Sequence, residues 1–202
     1  MEQKNHVILK DSMLIGEGRN RKCYLHPEDK DLCIKIAFEK AKRSVNRETG
    51  YFGRLQKRGK SFEMIARYFG KIQTNLGEGE VYELVCDYNG NISKNLRYYL
   101  KLGDEKYRAE VAEQVEKLRK YLAGEYILFS DLDVENILLK KLSKTECRLV
   151  VIDGIGDNNQ IPFLEYFPLL GNRRSIRKWE DFRVQFLNEF SYKKSEIKKF
   201  DE

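Results

Sequence analysis

This 202-residue sequence is poor in the residues that build zinc sites and disulfide frameworks. It has two histidines, and its four cysteines are scattered without a Cys-x-x-Cys pair: Cys23, Cys33, Cys86 and Cys147. Structural zinc sites need several cysteine or histidine ligands at short spacings, and disulfide scaffolds need cysteines that can pair. We therefore expect neither feature, and we expect reduced thiols, as in a cytoplasmic protein.

Long apolar segments are also missing. No run of the sequence approaches the length of a membrane span, and the first residues lack the apolar centre of a secretion signal. A hydrophobic content of 41% with 12% aromatic residues predicts a packed core rather than disorder. The net charge is +6, but 38 basic residues are interspersed with 32 acidic ones, so most of this charge is expected on the solvated surface. The length allows one compact unit or two lobes that share a cleft.

Residues 127–154 carry the strongest chemical signal. Two short apolar runs flank a polar loop that holds Asp131 and Asn136, and a third run, 149–152, ends at Asp153 followed by glycine. Short apolar runs predict buried strands, and a rigid strand fixes a carboxylate at its end while the loop leaves it open. The Asp-x4-Asn spacing followed by Asp-Gly matches the phosphoryl-transfer pattern of kinases. Asp-x4-Asn alone is equally compatible with a hairpin that has polar turn residues.

The N-terminal residues 7–36 predict three successive strands with a glycine loop between the first two. This loop contains Gly16 and Gly18 and continues to Arg21. Glycines let a backbone approach phosphates without obstruction by side chains. The sequence therefore predicts a lid that covers a nucleotide.

Lys35 stands in the middle of the third predicted strand, between two isoleucines. Alternation places its side chain on the face opposite the isoleucines, which suggests that it points into a cleft; the alternative is a solvent-facing lysine on a half-exposed strand. A predicted helix over 39–55 offers Glu48 as the carboxylate partner of Lys35.

Two further strands are predicted over 65–70 and 81–87, around a turn at 75–80. The second strand leads into the turn signal Tyr-Asn-Gly-Asn, which we interpret as the hinge between two lobes. Backbone groups over 84–87, Val85 among them, are expected to face the adenine of a nucleotide.

Two amphipathic helices follow in the C-terminal half. The first is predicted over 104–123 and ends at Gly124, with apolar residues at helical spacing. The second follows a basic run over 173–178. Its apolar residues, which we expect in the core, are Trp179, Phe182, Phe186 and Phe190.

This order of elements covers most of the chain and resembles the protein-kinase-like fold in a small form. More closely, the segments 15–27, 33–36 and 151–154 resemble the bacterial YrbL family, named for the PhoP regulatory network. The resemblance implies an α+β, two-lobed fold within a single kinase-like domain. The expected N-terminal lobe, 1–87, is an antiparallel sheet with one helix, and the expected C-terminal lobe, 88–202, is small and mainly helical.

The resemblance also implies ATP and Mg²⁺ as cofactors. Asp131 would be the catalytic base, with Asn136 and Asp153 as Mg²⁺ ligands and Glu48 as the partner of Lys35. The residues expected at the nucleotide are Gly16, Gly18, Arg21, Lys35 and Val85. Arg21 replaces the third glycine of the loop, where it would contact phosphate or stiffen the loop.

The sequence departs from the pattern of ordinary protein kinases. Phe129 and Ser130 stand where His-Arg precedes the catalytic Asp, and Asp133 stands where Ser/Thr kinases usually place lysine. The Asp-Phe-Gly motif becomes Asp-Gly-Ile, and no Ala-Pro-Glu follows. These departures favour a phosphotransferase acting on a small molecule, a sugar or a lipid headgroup over a protein kinase controlled by its activation loop.

Two hypotheses from other functional classes remain. A pseudokinase would use the same fold as a regulatory module that binds another protein, and the altered flanks of Asp131 favour it. Nucleic-acid binding through the basic runs 40–43 and 173–178 is the least favoured, because such runs are usually solvated faces. The expected partners are therefore a nucleotide and either an acceptor substrate or a regulatory protein.

Overall fold

The computed structural model describes residues 6–102, 105–156 and 176–189, with the side chains of 105–109 excepted. The N-terminal part contains six strands and one long helix. In chain order these elements are β1 (His6–Val7), β2 (Leu14–Glu17), β3 (Arg21–Leu25), β4 (Leu32–Ala37), α1 (Lys42–Lys57), β5 (Tyr68–Thr74) and β6 (Gly77–Glu83).

The strands form one six-stranded sheet in the order β1-β5-β6-β4-β3-β2, antiparallel except where β1 pairs with β5. Alternation along β4 gives this sheet two different faces. Ile34 packs with Tyr24 and Val81 on one face. Cys33 lies on the other face, in the main core beside α1. Lys35 shares the face of Cys33 and is 6% exposed, so the strand lysine points inward.

The C-terminal part combines a smaller sheet with helices. Its elements are β7 (Lys94–Asn95), α2 (Leu96–Leu102), α3 (Glu105–Gly124), β8 (Ile137–Lys141), β9 (Cys147–Val151) and α4 (176–189). Strands β7, β8 and β9 pair antiparallel in that order. The apolar stripes of α3 and α4 lie in the main core, as their periodicity predicts; they include Leu118, Leu122, Phe182 and Phe186. None of the helices in the described ranges is both long and apolar enough to cross a membrane.

The predicted strands 65–70 and 81–87 are displaced in the structure, where β5 begins at Tyr68 and β6 ends at Glu83. The expected turn 75–80 shrinks to two residues. Its Gly-Glu-Gly-Glu sequence favours a turn locally, but pairing of β6 with β5 on one side and β4 on the other overrides that preference.

Element bounds differ elsewhere too. A 3₁₀ turn, Glu39–Ala41, precedes α1, which extends to Lys57 rather than ending at 55. The short helix α2 was not predicted. Phe190 and the first three residues of the basic run, 173–175, lie outside the described residues. The predicted lobe boundary between residues 87 and 88 stays a prediction.

Candidate functional site

A cavity of about 260 Å³ lies between the glycine loop, α1, the loop after 128 and the chain that follows β9. It brings together most of the residues that the sequence predicts for a nucleotide site. The predicted residues that line it are Gly18, Arg21, Glu48, Asp131, Asn136 and Asp153. Gly16, Lys35 and Val85 do not line it.

The guanidinium of Arg21 is the central charge of this cavity. Arg21 opens β3 directly after the glycine loop and is 8% exposed. Its Nη2 donates to Glu48 Oε2 at 2.5 Å and also to Asp153 Oδ1. Burial by itself would lower the pKa of Arg21, but the two carboxylates outweigh burial and hold that pKa above its usual value. One buried cation therefore joins α1 to the segment that follows β9.

The expected pair between Lys35 and Glu48 is not formed. Among the ion pairs of the described residues, Glu48 pairs with Arg21. The Nζ of Lys35 donates instead to the carbonyl of Ile152 at 2.6 Å and lies 4.6 Å from the ring centroid of Tyr82. The reason lies in the strand register.

Arg21 pairs with Ala37, whereas Lys35 pairs with Cys23. Arg21 is therefore nearer the glycine loop and reaches the carboxylate of α1. Lys35 lies one alternating position deeper in the sheet. A cross-strand register of this kind cannot be read from the sequence of either strand alone.

The pKa values of the two carboxylates held by Arg21 are shifted in opposite directions. Burial raises the pKa of Glu48 above its ordinary value, and the attraction of Arg21 only partly offsets it. Burial also acts to raise the pKa of Asp153, but the charges of Lys35 and Arg21 outweigh burial and hold it below its ordinary value. Asp153 is therefore kept ionised, which is the state that a divalent cation requires.

Backbone hydrogen bonds attach the Asp131 loop to the chain after β9. The carbonyl of Gly154 accepts from the amides of Ser130 at 2.9 Å and Asp131 at 3.4 Å. The amide of Ile152 donates to the carbonyl of Asn136 at 2.9 Å. Asp131 itself is exposed. The carboxylate predicted to be the base is therefore accessible on a fixed backbone.

Two residues that the sequence did not predict as part of the site, Arg97 and Gln185, also contact this loop. Gln185 of α4 donates its Nε2 to Asp133 Oδ2 at 2.9 Å. Arg97 of α2 pairs with Glu135 at 2.9 Å and with Glu189 at 3.1 Å. Because Gln185 lies 52 residues from Asp133, no local pattern indicates this contact.

The predicted hinge uses several of its backbone groups within the chain. The carbonyl of Val85 accepts from the amide of Ser93 at 3.0 Å, and the amide of Leu84 donates to the backbone carbonyl of Asp31 at 2.8 Å. The side chain of Val85 is buried. The bond between Val85 and Ser93 continues the antiparallel bridge of Cys86 with Ile92, and the bond from Leu84 to Asp31 continues the pairing of β6 with β4. An adenine contact through Val85 stays a prediction.

The donor set fits Mg²⁺ better than a metal held by protein alone. In the described part of the chain, no three His, Cys, Asp or Glu side chains converge as a metal cage. Mg²⁺ usually takes one or two protein oxygens and completes its shell with phosphates and water. Asn136 and Asp153, which line the cavity together, supply oxygen donors of this kind.

The sheet order, the single N-terminal helix and the loop that presents Asp131 and Asn136 define a protein-kinase-like fold. A solved structure of the protein kinase Rad53, which contains residues 1–466 in complex with AMP-PNP, is similar to this fold. It superposes on this chain with a TM-score of 0.55 at 18% sequence identity. The likeness covers 83% of this chain and 44% of that chain, so this chain spans less than half of it. At this identity the likeness shows the fold.

Sequence comparison gives a narrower classification of the chain than the fold does. The family model "PhoP regulatory network protein YrbL" matches residues 7–187. The YrbL proteins of Escherichia coli (strain K12) and Shigella flexneri are each 33% identical over 183 residues, which is 89% of this chain and 87% of theirs. The chain belongs to the YrbL family.

Substitution of Gly154 tests whether the fold depends on the close approach of the Asp131 backbone to this residue. Its φ is +80°, and an added Cβ would lie 2.0 Å from the carbonyl oxygen of Asp131. We expect Gly154→Ala to lower the free energy of unfolding by more than about 2 kcal/mol, because the loop must shift. Urea denaturation measures this loss.

The matched control is Gly59→Ala. Gly59 has a φ of +63° and no atom within 4 Å of an added Cβ. Its substitution carries only the left-handed backbone cost of about 1 kcal/mol. Equal losses in the two variants would contradict a special role for Gly154.

The reactivity of Cys23 tests the environment that Cys33, Lys35 and Arg21 create around its thiol. A hydrogen bond from Cys33 lowers the pKa of Cys23 to about 7, helped by the charges of Lys35 and Arg21 and opposed by burial. Because the thiolate is the reactive form, alkylation of Cys23 by iodoacetamide should reach half its maximal rate near pH 7. Peptide mass spectrometry measures this rate for each cysteine separately.

Cys86 is the control, because it is also half-buried but burial raises its pKa. Its alkylation should rise only at higher pH. A common midpoint for the two thiols would show that Cys33 and the nearby positive charges do not lower the pKa of Cys23.

Proposed function

We propose that the cavity binds Mg²⁺ and ATP and that the protein transfers the terminal phosphoryl group to a hydroxyl of a small molecule, a sugar or a lipid headgroup. The observation that carries this proposal is that Asp131, Asn136 and Asp153 line one cavity. Catalysis of phosphoryl transfer depends mainly on positioning and electrostatic stabilisation. The presence of these groups around one space therefore supports the activity.

Asp153 and Asn136 are the residues that would hold Mg²⁺. Asp153 is kept ionised by nearby cations, and its Oδ1 also accepts the amide of Gly154 at 2.8 Å, which fixes the carboxylate. Asn136 is fixed through its backbone contact with Ile152. When bound, the metal ion would neutralise charge on the phosphates during transfer.

Asp131 would act as the base. An acceptor hydroxyl within hydrogen-bonding reach of its exposed carboxylate would give up its proton to Asp131 as the hydroxyl oxygen bonds to the terminal phosphorus. The bond from that phosphorus to the bridging oxygen breaks, and ADP leaves with the electron pair. The hydrogen bonds from the Ser130 and Asp131 amides to the carbonyl of Gly154 hold the backbone that carries this carboxylate.

The environment of Asp133 supports an acceptor other than a peptide. Ser/Thr kinases usually place lysine at this position, whereas Asp133 is bound by Gln185 and lies 3.8 Å from the guanidinium of Arg97. The sequence also lacks Ala-Pro-Glu after Asp153. Both features separate this site from a protein kinase with a phosphorylated activation loop.

A regulatory module that binds another protein is the second candidate. The family description, which names the PhoP regulatory network, favours it. The pairing of Arg21 with Glu48 and Asp153 also favours a regulatory module. Without a metal ion, the negative charge of the two carboxylates needs a cation from the protein itself. This candidate requires the fold but neither ATP turnover nor Mg²⁺.

Thermal unfolding with ATP, in the presence and absence of Mg²⁺, tests the proposed function. A ligand that binds only the folded state at 100 times its Kd stabilises that state by about 2.7 kcal/mol. We expect Mg²⁺-dependent stabilisation of the wild type, loss of that dependence in Asp153→Asn, and an unchanged response in Asp11→Asn. Asp11 provides the same chemical change at an exposed position outside the cavity.

Asp131→Asn separates binding from transfer. This variant should keep the thermal response to Mg²⁺ and ATP but lose ADP formation in the presence of a mixture of hydroxyl compounds. No stabilisation of the wild type at millimolar nucleotide would exclude the phosphotransferase and leave the regulatory candidate.

A further inference from the structure

Arg21 has hydrogen-bond donors in excess of the carboxylates that it contacts. Nη2 is bound to Glu48 and Asp153, but Nε and Nη1 are buried and have no acceptor among the described residues. A buried guanidinium rarely leaves N–H groups unpaired, because each loses its hydration without replacement. Arg21 as a whole lines the cavity, so its buried positive charge is available to an anionic ligand that binds there.

Lys35 is committed elsewhere. Its ammonium donates to the carbonyl of Ile152 at 2.6 Å and packs over the ring of Tyr82 at 4.6 Å. Ile152 is the residue before Asp153. Lys35 therefore holds the segment that presents Asp153, and it does not line the cavity itself.

The glycine loop places Arg21 where phosphates are expected. The amide of Gly18 donates to the carbonyl of Arg21 at 2.9 Å, which closes the loop onto the first residue of β3. A planar guanidinium can bind a carboxylate through one N–H group and phosphate oxygens through others. Glu48 fixes the plane of this fork.

From these contacts we propose that Arg21, rather than Lys35, is the cation that Glu48 orients to bind the nucleotide phosphates. Lys35 is then a positioning residue, which acts through Ile152 on Asp153. This exchange of roles rests on the proposed nucleotide site and assigns the phosphate-binding cation to β3 instead of β4.

A pair of double-mutant cycles tests the exchange. The measured quantity is the Kd of AMP-PNP with Mg²⁺, obtained by titration calorimetry. The first cycle combines Arg21→Met with Glu48→Gln, and the second combines Lys35→Met with Glu48→Gln. Residues that act as one unit give non-additive effects in such a cycle, whereas independent residues give additive ones.

We expect Arg21→Met to weaken binding about ten- to a hundredfold, the effect of losing charge-assisted hydrogen bonds to phosphate. Glu48→Gln should weaken binding in the wild type and in Lys35→Met by the same factor. It should have no further effect in Arg21→Met, because the cation that it orients is gone.

Two controls keep the result interpretable. Lys22→Met removes one positive charge from the next residue of β3, whose side chain lies on the opposite face and pairs with Glu17, and it should bind as the wild type does. Arg21→Met leaves Glu48 buried without its cation, but the double variant with Glu48→Gln removes that charge. Thermal unfolding of the double variant then shows whether it folds.

The exchange is wrong if Arg21→Met binds as tightly as the wild type, or if the effect of Glu48→Gln disappears in Lys35→Met instead. Either result would leave the proposed function intact. No binding by the wild type would overturn the proposed function together with this inference.

Discussion

The ion pairs of Arg21 are the interaction on which the candidate site depends. One nitrogen joins Glu48 of α1 to Asp153 after β9, so the sheet, the helix and the C-terminal part meet at a single buried cation. Two carboxylates this close would otherwise repel, and burial would favour their protonation. The arrangement explains why a glycine loop that lacks its third glycine has arginine at that place.

The segment before Asp153 is fixed from two directions. The amide of Ile152 binds the carbonyl of Asn136, and its carbonyl binds the ammonium of Lys35. Gly154 then accepts the amides of the Asp131 loop, at a distance that excludes any side chain at residue 154. The residues proposed as metal ligands and base are thereby positioned through the backbone, and phosphoryl transfer depends on such precise positioning.

Sequence patterns predicted most of the elements and the gathering of Asp131, Asn136 and Asp153, because strand ends and helical periodicity are local signals. The partner of Glu48 was not predictable, since it depends on the register between β3 and β4. The bounds of β6 were missed for a related reason. Its Gly-Glu sequence favours a turn, while pairing on both edges makes it a central strand. The contact of Gln185 with Asp133 depends on tertiary packing alone.

A crystal structure with AMP-PNP and Mn²⁺, which stands in for Mg²⁺ and is located by its anomalous scattering, tests the site most directly. The account predicts Mn²⁺ on Asp153 and Asn136, with the guanidinium of Arg21 on a phosphate oxygen and still held by Glu48. Lys35 should remain on the carbonyl of Ile152. A nucleotide whose phosphates are bound by Lys35 paired with Glu48, or a metal ion away from Asp153, would contradict it.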